Sequence, residues 1–162
     1  MIDQSNELHE LVVVSAPKLR SLPEPVASEK PLADKWSRKE ILGHLIDSAA
    51  NNHQRIVRMQ ETQDIGAFRY TQQHWASSQK YQSESWEELV RFWESYNFHL
   101  SHVIAHVDAR SLENVCDMGY AKPATLRFVI EDYLRHLRHH LGQILENQDP
   151  RGRSQWVKRE PV

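Results

Sequence analysis

The stretch SRKEILGHLIDSAANNHQRIVRMQE, residues 37 to 61, decides the fold. Ser37 stands three residues ahead of Glu40, the spacing of a capping box, in which each side chain accepts the other's backbone N–H. Behind it Ile41, Leu42, Leu45, Ile46, Ala49, Ile56 and Met59 recur at the period of a helix with one buried face. Such a helix must cover its apolar stripe with something. Working outward finds the partners.

Upstream, residues 5 to 20 place Leu8, Leu11, Val12 and Leu19 on one side. The run Val12, Val13, Val14 has little helix preference of its own, and Pro17 is expected to end the helix early. SLPEPVASEKP, residues 21 to 31, reads as a loop. Downstream, residues 62 to 83 are mixed, with a short helix expected around YTQQHWAS. Ser85 and Glu88 repeat the capping-box spacing and open a third long helix to about Val107. Its apolar side is Leu89, Phe92, Trp93, Tyr96, Leu100, Val103 and Ile104.

A connection follows with Gly119 and Pro123 as turn signals. Either Thr125 caps the fourth long helix or Pro123 occupies its first turn, and the helix runs to about Gln148, short of Pro150. Strand signals are thin. Four amphipathic helices with moderate linkers predict an all-α four-helix bundle, one domain over residues 1–150 with a C-terminal tail at 151–162.

The charge is balanced, with 20 Lys and Arg against 22 Asp and Glu, which argues against a nucleic-acid surface. One cysteine, Cys116, excludes an internal disulfide or a cysteine-based metal knuckle and reads as a buried structural thiol. No run is apolar enough to span a membrane, and MIDQSNELHE lacks the basic-then-apolar pattern of a secretory signal. The expected compartment is the cytoplasm. Trp36, Trp75, Trp86 and Trp93 read as core or interface anchors.

Three of the ten histidines lie in DYLRHLRHHLGQI, residues 132 to 144. On a helical wheel centred on Leu137, residues Leu126, Ile130, Tyr133, Leu141 and Ile144 fall within about 40°. His140 falls about 60° to one side and His136 about 100° to the same side, while His139 faces away and reads as solvated. On the helix that opens at Ser37, His44 also borders the stripe, and Asp47 lies well round toward solvent. Imidazoles at i and i+4 can point at one ion, and a third from a neighbouring helix would complete a site that suits zinc, nickel or iron. The same placement fits border histidines that hydrogen-bond across a helix interface. The wheel leaves both readings open.

WSRKEILGHLIDSA, residues 36 to 49, resembles the first signature of the DinB/YfiT-like superfamily: a tryptophan, a capping residue, an acid, then His-Leu-x-Asp. DYLRHLRHHLGQI resembles the second, His-x-x-x-His ahead of Gln-Ile, and YAKPATLRFVIEDYLRH looks like the segment leading into it. The resemblance spans about residues 5 to 148. It implies a divalent metal, zinc or nickel, on His44, His136 and His140, the three that border the stripes.

The resemblance further implies a metal-dependent hydrolase acting on an unknown small-molecule substrate, and commonly a homodimer. The alternatives are a transferase or isomerase working with a low-molecular-weight thiol such as bacillithiol, and a non-catalytic metal-binding bundle. Asp47 matches the motif's aspartate, and Asp132 lies one turn before His136, where it could accept that ligand's second N–H. Both stand as candidates for orienting a ligand. No general base is singled out among Asp47, Asp132 and Glu40.

Overall fold

A computed structural model describes residues 1–146. The expected helix stop near Gln148, the domain limit at 150 and the tail at 151–162 lie outside the described residues. The long helices are α1 (Ile2–Arg20), α3 (Arg38–Arg58), α5 (Trp86–Ala105) and α6 (Leu126–Glu146), with short α2 (Glu24–Ser28) and α4 (Gln72–Gln79) in the connections. α1 packs mainly on α5, and α3 lies between α5 and α6. The four-helix bundle stands as expected.

The helix starts show how far local signals reach. At α3 the capping box is formed: Glu40 N–H donates to Ser37 Oγ at 3.2 Å, and Ser37 N–H to Glu40 Oε2 at 2.8 Å. At α6, Thr125 is the cap, its Oγ1 accepting the Phe128 N–H at 3.2 Å. At α5 the expected box is absent. Ser85 makes no side-chain cap bond there, and Glu88 pairs with Arg91 instead. The Trp86 N–H donates to Glu24 Oε2 of α2 at 2.8 Å. A carboxylate from another part of the chain has taken over the helix end.

Pro17 does not end α1, which continues to Arg20. A helical proline forfeits one backbone bond and crowds the turn before it. Here Leu8, Val12, Ala16 and Leu19 are all completely buried, so packing on both sides of Pro17 holds the last turn in place. The valine run divides accordingly, with Val12 inward and Val13 and Val14 exposed.

Leu42, Leu45 and Ile56 of α3 meet Leu89, Trp93 and Leu100 of α5 and Leu126, Ile130 and Leu137 of α6 in one core, all fully buried. Phe92 departs from expectation. It is 53% exposed and stacks on Tyr96 outside the core, with ring centroids 5.7 Å apart.

Strands do form. β1 (Asp64–Ala67), β2 (Val115–Asp117) and β3 (Ala124–Thr125) make a small sheet in the order β1-β2-β3, with β1 parallel to β2 and β2 antiparallel to β3. Elements of two to four residues show no readable alternation, which is why the sequence hid them. Buried Arg55 fastens the end of this region to α3, donating to the Phe68 carbonyl from Nη2 at 2.8 Å and from Nε at 3.3 Å. Cys116 is fully buried on β2, and burial pushes its thiol pKa up, which suits a structural role. Among the described residues no helix is long and apolar enough to cross a membrane.

Candidate metal centre

The seam between α3 and α6 brings together histidines some 90 positions apart. His44 is almost completely buried, and His136 and His140 are half-buried. One ring nitrogen from each lies within 4.8 Å of the other two, and no other such group of histidine, cysteine or acidic side chains forms among the described residues. His44 Nε2 and His136 Nε2 are 3.0 Å apart, and the His140 ring centroid lies 4.4 Å from that of His136 and 5.0 Å from that of His44.

Burial and the neighbouring imidazole of His140 push His44 down to about 4. Burial and the other histidines push His136 down to about 3. His140 is also lowered by burial, with Gln143 acting in the opposite direction. At neutral pH the rings are therefore uncharged and offer lone pairs, the state a metal ion requires. Nitrogens bound about 2.0–2.1 Å from a tetrahedral ion sit about 3.4 Å from each other, close to the His44–His136 separation. The donor set fits a divalent ion.

The outward-facing nitrogens are served by neighbours that spacing alone did not single out. Ser48 Oγ lies 3.4 Å from His136 Nδ1, and Gln143 Oε1 lies 2.8 Å from His140 Nδ1. A signal for both was available. Ser48 is one turn beyond His44, and Gln143 three residues beyond His140, each on the ligand face of its own helix.

Two expectations need correction. Asp132 does not serve His136: it accepts the Tyr120 hydroxyl at 3.2 Å and pairs with Arg135 at the surface. The Arg135 charge and the connection before α6 draw it outward, while Ser48 faces the ring nitrogen in its place. Asp47, expected toward solvent, is only 1% exposed. Tyr81 donates its hydroxyl to Asp47 Oδ1 at 2.5 Å, and Gln79 its amide at 2.6 Å. Burial raises the carboxyl's pKa, and those two donors oppose the shift. His139 is exposed as expected, though its Nε2 lies 2.9 Å from the Gln143 amide.

Gly43 explains how Tyr81 comes so close. A Cβ at residue 43 would lie 2.1–2.6 Å from atoms of the Tyr81 ring, too close for any side chain. A mid-helix glycine costs roughly 1 kcal/mol relative to alanine, so its place ahead of His44 follows from this contact. Beside the cluster opens a cleft of about 700 Å³, lined in part by Trp36, Ile41, Gln73 and Gln143. None of the three histidines lines this cleft; it reaches them through Trp36, whose ring lies 5.2 Å from that of His44, and Gln143, which meets His140.

A sequence profile of the DinB superfamily matches residues 14–144, taking in all three histidines. The chain belongs to the DinB superfamily. Among solved structures it is similar to YfiT from Bacillus subtilis, described as a probable metal-dependent hydrolase with an unusual four-helix bundle topology. The two share 14% sequence identity at a TM-score of 0.78, over 89% of this chain and 83% of that one. At that identity the likeness establishes a common fold. No curated protein matches the chain.

Proposed function

We propose that this member of the DinB superfamily is a metal-dependent hydrolase acting on a small molecule. One observation carries the reading: three neutral imidazoles converge, and no carboxylate or thiol among the described residues joins them. Three protein ligands with a further position open to solvent are the arrangement of catalytic rather than structural zinc sites. A divalent ion held there, zinc or nickel, would lower the pKa of a bound water toward about 7 and polarise a scissile carbonyl. The chain's own part is to present the three nitrogens uncharged, with Ser48 and Gln143 setting ring orientation and Trp36 walling the cleft where substrate would lie. The description of YfiT as a probable metal-dependent hydrolase supports the same reading.

The test is metal content by mass spectrometry, on wild type and on His44→Ala, His136→Ala and His140→Ala purified without added metal. Activated esters and amides would be assayed alongside electrophiles supplied with a low-molecular-weight thiol. About one ion per chain in wild type, lost in each variant, with ester turnover abolished by chelation, is the expected result. Equal metal in all four proteins, or none in wild type, overturns the site. Turnover confined to the thiol arm would make the protein a transferase.

A further inference from the structure

Metal-bound histidines usually donate their second ring N–H to a fixed acceptor, which sets the tautomer and raises the basicity of the ligating nitrogen. His136 and His140 already have partners at the second nitrogen, Ser48 Oγ at 3.4 Å and Gln143 Oε1 at 2.8 Å. His44 has none. Its Nδ1 is buried and without a hydrogen-bond partner.

Three residues further along α3, Asp47 shows the complementary defect. Its Oδ1 receives both Tyr81 and Gln79, while its Oδ2 is buried and unpartnered. Among the described residues only one other buried side-chain atom, Trp93 Nε1, shares this condition. A buried polar atom without a partner has given up its hydration with nothing in return. Two buried polar atoms without partners, an imidazole nitrogen and a carboxylate oxygen, therefore sit at i and i+3, on neighbouring positions of one helix face.

Resting on the reading of the three histidines as a metal centre, we propose that Asp47 is the positioning residue for His44. When Nε2 of His44 takes the ion, its Nδ1 carries the proton, and Asp47 Oδ2 accepts that N–H directly or through one buried water. Asp47 is not itself a ligand, because its carboxylate is not among the donor atoms that converge. Tyr81 and Gln79 hold the other oxygen and so fix the direction of the acceptor. Gly43 makes this possible by leaving room for the Tyr81 ring. Each of the three ligands then has its own acceptor: Asp47, Ser48 and Gln143.

The experiment measures Co²⁺ and Zn²⁺ affinity by competition with a chromophoric chelator, with thermal stability of the metal-free proteins followed in parallel. Asp47→Ala should weaken binding about 10–100-fold, and Asp47→Asn, which retains a carbonyl acceptor, should fall between it and wild type. A merely structural Asp47 would lower metal-free stability and leave the affinity of the folded protein unchanged. Wild-type affinity in both variants overturns the proposal. Should Asp47→Ala not fold, Asp47→Asn decides alone: weakened binding supports the role and wild-type affinity overturns it. His44→Ala is run beside them. If wild type takes up neither ion, or His44→Ala binds like wild type, the metal centre itself falls; if only Asp47 is silent, just its positioning role does.

Discussion

Histidines gather in two places on this molecule, at similar ring spacings and with unlike consequences. On the α3–α6 seam, His44, His136 and His140 stand 4.4–5.0 Å apart by ring centroid. Elsewhere, His53 of α3 lies 5.2 Å from His99 of α5, and at the end of α5 His102 lies 4.3 Å from His106. The second group is nearly as close-set as the first. Yet His99, His102 and His106 are exposed, and among the described residues no third ligand atom converges on either pair. Exposed rings are solvated and must lose rotamer freedom to bind. The seam histidines are held by packing, and two of them by a polar partner on the far nitrogen. Proximity is common; burial and convergence of three nitrogens set the seam group apart.

The sharpest way to break that contrast is to delete each group in turn. Replacing His136 with alanine should reduce metal affinity by about 100-fold or more, since a ligand leaves an already minimal set. The double variants His53→Ala/His99→Ala and His102→Ala/His106→Ala should bind like wild type in the same chelator competition. Loss of metal from either surface variant would erase the distinction.

Next in size is the packing that walls the seam. Gly43→Ala should destabilise the metal-free protein by about 1–3 kcal/mol in urea denaturation, because the new Cβ meets the Tyr81 ring. Helix propensity alone predicts the opposite sign, a gain of roughly 1 kcal/mol. A stabilised variant would show that Tyr81 yields easily and that the clamp on Asp47 is loose.

The smallest effect is a slope with pH. His44 and His136 have folded pKa values of about 4 and about 3, below the ordinary 6.5. The unfolded chain therefore takes up protons first as pH falls, so their contribution to stability is complete above about 6.5 and drains away toward 3–4. Metal-free protein should show this decline in denaturation midpoints measured across that range, and His136→Ala should flatten it. A slope unchanged by the substitution would mean that the seam histidines are not buried as neutral rings.

Much of the bundle and of its histidine site is legible in the amino-acid sequence. The stripe of α3, its capping box and the border positions of His44, His136 and His140 depend on spacing along single helices, which sequence records directly. The sheet is not legible there, since its strands are two to four residues long and hold by pairing with distant segments. Phe92 misleads for a related reason: its position fits the apolar side of α5, but among the described residues no neighbouring element covers it.

Asp47 marks the boundary most clearly. By itself the sequence determined that the chain folds as helices with one apolar side each, and that three histidines border those sides at positions a bundle can join. Local periodicity and local hydrogen bonds suffice for that. Only the tertiary structure decided that Asp47 is buried beside them, because the cover comes from Gln79 and Tyr81, more than 30 residues further on. A wheel knows one helix's own stripe; it cannot know which side another segment will close.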